Sequence, residues 1–275
     1  MKISLLDNRS IIEVSGEDAC KFLQSIISND INLATEDGVI YTYFLNPKGR
    51  FLFDVFIYYN GSGYILDINS EHSEKLFERL SFYKLNSKVK ISINSDLRVL
   101  YSNEQIKDHI SHKDPRFIKL GFRSLVRNSE INLYQFHDTN IYIEDKYNYC
   151  IPDGFVDLIP EKSLPPEFGC EELNAVSYTK GCYTGQEVIS RTKYLGEVRK
   201  SLYILNFDNL SIFTEDADDE VIQNGNKIGK VTSYFNKKAI AILRKDEINI
   251  SHECIHKGCK AKIIIPEWKN IANAL

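Results

Sequence analysis

The fold class this sequence predicts is α+β: two mixed modules followed by a small all-β barrel. Three observations predict it. Strand-like and helix-like hydrophobic periods are interleaved from the amino terminus to about Gly196. Beyond that point the helical period stops and only short strand-like runs follow. A length of 275 residues allows about two domains and leaves room for a small third one. The expected modules are 1–95, 96–195 and 196–275.

In chain order, KISLL and IIEVS alternate as strands, and Ala19, Phe22, Leu23, Ile26 and Ile27 then share one helical stripe, with Ser15 and Asp18 as its expected capping box. GVIYTYFLNPKGRFLFDVFIYY reads as a hairpin, because Pro47 and Gly49 occupy the positions of Asn46–Gly49 that favour a tight reversal. After NGSG, YILDI reads as a strand and SEHSEKLFERLSFY as an amphipathic helix with Leu76, Phe77 and Leu80 inward. The second module repeats the pattern: strands in DLRVLY, FIKLGF and INLYQF, a helix in TNIYIEDKYNYC, a proline-rich connection, and a short helix in EELNAVSY. In the last segment VRKSLYILNF, KIGKVTSYF, AIAILRK and CKAKIII are strands, with Asn224-Gly225 as a hairpin turn. No solenoid-length repeat or low-complexity tract is present, and the acidic run TEDADDE reads as a solvated loop.

Composition excludes several classes. With 43% hydrophobic and 26% charged residues the chain is neither disordered nor fibrous, and a net charge of −4 argues against a surface devoted to nucleic acid. The amino terminus reads as neither a signal peptide nor a membrane span, which predicts a cytoplasmic protein without a membrane partner. Cys20, Cys150, Cys170, Cys182, Cys254 and Cys259 are scattered, so free thiols are expected rather than a disulfide framework.

Four groups of residues carry candidate chemistry. Cys182 lies between Gly181 and Gly185, close to Lys180, Arg191 and Lys193, a setting for a reactive thiol; a buried, inert cysteine is the alternative. Alternation puts Asp54 on a strand face with Leu52 and Phe56, so its carboxylate needs either a cationic partner or a ligand. From Lys180 to Lys200 five basic residues, Lys180, Arg191, Lys193, Arg199 and Lys200, face only two acidic ones, a patch suited to carboxylates or to RNA phosphate. Thr184 and Glu187 form a candidate capping box, while Gln186 and Glu187 are also placed to orient the Cys182 loop. His252, Cys254, His256 and Cys259 lack a recognised metal-ligand spacing, no ferredoxin-type cysteine set is present, and His109, His112, Asp108 and Asp114 read as a solvated polar loop, so no metal is expected.

The string KGCYTGQE, residues Lys180, Gly181, Cys182, Tyr183, Thr184, Gly185, Gln186 and Glu187, stands between NAVSYT and VISRT. It resembles the signature of the YgfZ-type folate-binding proteins, the branch of the GcvT-like aminomethyltransferase superfamily tied to iron–sulfur protein maturation. The resemblance extends to FLQSIISNDI, FLNPKGRFLFDVFIY and LPPEFG and so covers essentially the whole chain. It implies two modules and a barrel arranged as a ring, with tetrahydrofolate or a one-carbon derivative as cofactor. Asp54 falls on the position that contacts the pterin, and Glu167 on a folate-facing turn, although Pro165 and Pro166 depart from the enzymes there. Arg199 is the expected contact for the folate tail, and Gln186 and Glu187 are candidate ligand contacts. The implied function is a folate-binding accessory protein for iron–sulfur cluster assembly or repair, with an indirect link to tRNA modification. Iron–sulfur assembly proteins or client enzymes would be its partners, and direct RNA contact is disfavoured. The alternative is a folate-dependent one-carbon transferase.

Overall fold

The structure, a computed structural model, describes residues 1–136, 140–208 and 218–272. Strands β2 (Arg9–Ser15), β3 (Ile40–Leu45), β4 (Phe51–Tyr59), β5 (Gly63–Asn69) and β6 (Lys90–Asn94) form an antiparallel sheet in the order β3-β4-β5-β2-β6. Helices α1 (Ala19–Ile26) and α2 (Ser73–Tyr83) cover one face. There Phe22, Leu23, Leu76 and Leu80 pack on Ile12, Val14, Val55 and Ile57. The other face, with Tyr41, Tyr43, Phe56 and Tyr58, enters a core shared with the rest of the molecule. Because both faces are covered at β3 and β4, those strands read as nearly continuous apolar runs.

Two details of this module differ from the sequence reading. Phe44 pairs with Phe53 but Leu45 pairs with Phe51, so Leu52 is an extra residue in β4. The bulge reverses the alternation. Phe51 therefore joins Tyr43, Phe56 and Tyr58, and Leu52 turns to the helix side, away from Asp54's face. Asp18 is the N-cap of α1 but makes no side-chain cap bond; its carboxylate accepts the Lys88 backbone N–H at 2.8 Å instead.

The second sheet has the order β1-β7-β9-β8: β1 (Ile3–Leu5), β7 (Leu97–Ser102), β8 (Ile110–Lys113) and β9 (Phe122–Arg127). Its edge strand β1 thus comes from the amino terminus, and α3 (Ile141–Tyr149) follows the sheet. Three expected elements are replaced here. FIKLGF is mostly a turn closed by Asp114 N–H to Gly121 O (2.9 Å), and Phe117 and Leu120 are buried from that turn rather than by alternation. Residues Asn128–Leu133 are a 3-10 helix whose Glu130 accepts the Arg127 N–H, so INLYQF is no strand. EELNAVSY makes one turn and stops, because Asn174 adopts a left-handed φ of 54°, its backbone carbonyl accepts the Asn29 side-chain amide and its own side-chain amide donates to Pro115 O, each at 2.8 Å.

The carboxyl-terminal segment is a closed six-stranded barrel of β10 (Lys200–Phe207), β11 (Glu220–Gln223), β12 (Asn226–Phe235), β13 (Lys238–Arg244), β14 (Cys254–His256) and β15 (Cys259–Ile264). Positive φ at Asn224 and Gly225 makes the expected hairpin. Cys254 and Cys259 point into the barrel core, His256 is buried against Glu220 O, and His252 is exposed before β14. Part of the acidic run, residues 214–217, lies outside the described residues. A helix that the sequence reading omits, α5 (Glu267–Ala272), follows the barrel. It carries the chain's single tryptophan. Trp268 is 2% exposed, sits in the shared core and donates its indole N–H to Tyr149 O at 2.9 Å.

That one side chain fastens the barrel's end to the second module. Trp268→Ala is expected to lower unfolding free energy by about 3–5 kcal/mol in urea titrations, and Trp268→Phe by clearly less.

Candidate functional site

Asp54 stands mid-strand in β4, opposite Tyr43, and is 4% exposed. Among the described residues no cation pairs with it directly. Its partner is the Tyr41 hydroxyl, which donates to Oδ2 at 3.0 Å. Burial raises the Asp54 pKa, with Arg9 opposing and Asp153 adding to the rise. Beside it is a cavity of about 40 Å³ lined by Arg9, Asp54, Asn69, Arg123, Tyr142 and Gly154, among others. The donor and acceptor types suit a heterocycle, and buried Arg123 keeps Nε and Nη1 without a hydrogen-bond partner. The space does not. A volume of this size holds roughly three waters, and a Cβ on Gly154 would stand 1.9 Å from Asp54 Oδ1. A pterin therefore does not fit while the segment around Gly154 keeps this position.

Around Asp54 runs a buried ionic chain that the sequence reading missed. Asp67 binds Arg9 at 2.5 Å and Arg123 at 2.6 Å. Arg123 also approaches Asp114 at 3.8 Å, and Asp114 takes Arg116 bidentately at 2.9 and 2.7 Å. Arg116 reaches Asp153 at 3.8 Å, and Lys146 joins Asp153 to Asp157 at 3.0 and 3.2 Å. Asp157 finally accepts the Thr232 and Ser233 hydroxyls of the barrel at 2.6 Å each. Burial works to raise Asp153, but Lys146 and Arg116 outweigh it and hold that carboxyl at about 2. Asp114 is thus no part of a solvated loop. His112 lies half-buried near the Tyr58 ring, and His109 bonds to the Tyr134 hydroxyl at 2.9 Å. No single residue here has a distinctive spacing; the only signal was the number of Asp and Arg residues inside apolar runs.

The Cys182 loop is built from its neighbours inward. Lys180 is 7% exposed, and its ammonium donates to Gln24 O, Ile27 O and Asn29 O at 2.8, 2.7 and 2.7 Å. It thereby caps the carboxyl end of α1, where a cation is favoured. Burial draws this group down to about 8, with nearby Asp30 opposing. Tyr183 is buried, and Thr184 N–H donates to Ser25 O. Gly185 takes φ 85° as N-cap of α4 (Gln186–Leu195); a Cβ there would meet Asn46 O at 2.6 Å, and one on Gly49 would meet Val188 at 2.8 Å. The hairpin turn and the motif loop thus interlock through two glycines. Between these anchors Gly181 has open space and Cys182 is exposed.

The remaining candidates scatter. Glu167 is half-buried on the 3-10 turn Pro165–Phe168. Gln186 opens α4 and Glu187 is exposed in its first turn; Thr184 makes no cap bond, so the expected capping box is replaced by the left-handed Gly185. Arg199 is exposed just before β10 and does not line the Asp54 cavity. The basic patch loses two members: Lys180 is buried, and Lys193 pairs with Glu171 over the Tyr178 ring. A wider cleft of about 540 Å³ lies between Tyr41, Tyr178, Lys193 and Tyr194. Among the described residues no cluster of His, Cys, Asp and Glu suits a metal, and no helix is long and apolar enough to cross a membrane.

Two family models match segments of the chain: GCVT N-terminal domain over residues 4–100 and CAF17, C-terminal beta-barrel domain over residues 199–270. The chain carries a GCVT N-terminal domain and a CAF17 β-barrel. Asp54 lies in the GCVT domain, and the Thr232 and Ser233 hydroxyls come from the CAF17 barrel. Similar proteins include the iron-sulfur cluster assembly factor IBA57 homolog, mitochondrial, of Mycosarcoma maydis, 32% identical over 75% of this chain and 57% of that protein. The chain thus spans little more than half the length of this fungal relative. The iron-sulfur cluster assembly factor IBA57, mitochondrial, of Homo sapiens is 29% identical over 96% of this chain and 84% of its own. Among solved structures, the glycine cleavage system aminomethyltransferase T from Bartonella henselae superposes with a TM-score of 0.75 at 14% identity, covering 96% of this chain and 84% of that one. The chain therefore has the mixed α+β fold of that aminomethyltransferase with a closed six-stranded barrel.

Two outcomes test this site. A carboxyl whose folded pKa is raised weakens the fold as pH climbs through that pKa and costs nothing below its unfolded value. Asp54→Asn should therefore melt above the wild type at pH 7, with the gap closing as pH falls toward 4, in parallel thermal scans. Lys180→Met leaves three carbonyls at the end of α1 without their donor and should cost about 1–3 kcal/mol in chemical denaturation.

Proposed function

We propose that this protein is an accessory factor in iron–sulfur cluster assembly or repair that works through the Cys182 thiol. One observation carries the reading: Cys182 is exposed on a loop fixed on both sides, by buried Lys180 and by the Gly49–Gly185 contact. A thiol held that way is presented to a macromolecular partner at no further ordering cost, and thiolates suit iron–sulfur chemistry. The names of the relatives, iron-sulfur cluster assembly factors, support the same role. In this proposal the partners are iron–sulfur assembly proteins or client enzymes, and any effect on tRNA modification is indirect. The thinned basic patch gives RNA little to hold.

Tetrahydrofolate is the proposed small ligand, read by Asp54 and reached when the Gly154 segment moves. If it binds, it supplies a one-carbon carrier; Asp54 and Asn69 would face its pterin. The one-carbon transferase reading needs that space open together with a donor site, and draws no support from a closed cavity. The relatives carry mitochondrial names, and placement in the cytoplasm stays a proposal drawn from the sequence.

The test is genetic and calorimetric. Cys182→Ala should leave melting temperature within about 1 °C of wild type, because the side chain is exposed, yet lower iron–sulfur enzyme activity in cells severalfold. Undiminished activity would remove the thiol from the mechanism. Titration with tetrahydrofolate should give heat for the wild type and at least about tenfold weaker binding for Asp54→Asn, one lost charge-assisted hydrogen-bond pair being worth 1.5–3 kcal/mol.

A further inference from the structure

The segment Ile151–Leu158 occupies the space that a ring beside Asp54 would need, and it does so under strain at its tip. Phe155 has φ 71°, a left-handed conformation that is an outlier for a bulky residue. Backbone strain of this kind persists only where the surroundings enforce it, and it gathers at functional sites. The Phe155 ring is held by other rings: Phe51 at 5.7 Å, Phe53 at 5.9 Å, and His72, stacked with centroids 3.3 Å and planes 16° apart. Phe51 and Phe53 belong to the same strand as Asp54. Next to Phe155, Gly154 lies on the Asp54 carboxylate so closely that no side chain fits between them.

The base of the segment is fixed independently of its tip. Asp153 O accepts from Asp157 N–H at 2.9 Å and from Leu158 N–H at 3.2 Å, and the Asp157 carboxylate accepts the Asp153 N–H at 2.9 Å. Lys146 ties both carboxylates from α3. At the tip, Phe155 N–H donates to Leu158 O at 2.8 Å, and Val156 is 49% exposed. Anchors at both ends, a strained aromatic residue between them and solvent on its far side define an element that can move without unfolding its frame.

We propose that the Phe155 turn is a built-in plug: the Phe155 ring, stacked on His72, holds Gly154 on the Asp54 carboxylate in the space a flat heteroaromatic ligand would need, and the ligand enters by displacing Phe155 and Gly154 while Lys146 holds the base. The ligand class rests on the folate reading above; the competition between side chain and ligand goes beyond it. Apparent affinity is then the intrinsic affinity reduced by the fraction of molecules with the plug out.

Phe155→Gly removes the ring and makes the positive φ unstrained, so the variant should stay folded, as circular dichroism and melting would check. Wild type, Phe155→Gly and Phe155→Ala are titrated with fluorescent 6-methylpterin and, by calorimetry, with tetrahydrofolate. Both variants should bind the pterin at least about tenfold tighter than wild type, and Asp54→Asn on the Phe155→Gly background should abolish the gain. Equal pterin binding by all three proteins overturns the plug. A gain for pterin with no tetrahydrofolate binding by any of them keeps the plug and discards the folate reading. Tetrahydrofolate binding as tight in wild type as in the glycine variant keeps the folate reading and discards the plug.

Discussion

The ionic chain from Arg9 to Ser233 is the constraint on which the rest of this structure depends. It starts in the first sheet, crosses the second through Asp114, Arg116 and Arg123, passes Lys146 on α3, and ends on two hydroxyls of the barrel. Buried charges are expensive unless paired, and breaking one partner of such a pair is far more damaging than replacing the whole set. Each module therefore supplies charges that only the other modules can satisfy. Apolar cores tolerate sliding between surfaces of similar shape, whereas a bidentate Arg116–Asp114 pair does not, and the chain thereby fixes how the three modules dock.

Asp54 is the carboxylate this chain leaves over. Asp67, Asp114, Asp153 and Asp157 each have a cation or hydroxyl pair, while Asp54 has one tyrosine hydroxyl. Its raised pKa, the strained turn above it and the unpartnered Arg123 Nε and Nη1 are local costs gathered at one place. Such costs are what a binding position shows when selection for stability has not removed it. The motif loop shows the opposite design. Lys180 and Gly185 spend their chemistry on the backbone of α1 and of the hairpin, and Cys182 stands exposed between them.

Much of the fold was legible because periodicity reports local geometry. The hairpin around Asn46–Gly49, helix α2 and four of the six barrel strands follow from patterns of two and 3.6 residues, whereas β11 and β14, four and three residues long, are too short to show a period. The failures have a common cause, which is apolar residues buried by turns rather than by periodic elements. Phe117 and Leu120 imitate a strand, and Leu173 and Val176 imitate a helix stripe, while Asp114–Gly121 and Asn29–Asn174 contacts decide the backbone. The Leu52 bulge escaped for a similar reason, since an all-apolar strand gives alternation nothing to register. Of the candidate site, Cys182 and Asp54 stood out by residue type and setting, yet the sequence also counted Lys180 as a surface charge.

By itself the sequence determined which segments pair locally and that a run of strands follows the last helical period, and it singled out one thiol and one carboxylate as candidates. Those are properties of neighbours along the chain. Tertiary structure decided that Lys180 caps a helix 156 residues away in sequence, that Arg116 and Arg123 share Asp114, and that Gly154 covers Asp54. The reason is physical: a charge or a strained turn is satisfied by whatever packs against it, and packing partners distant in sequence leave no periodic trace.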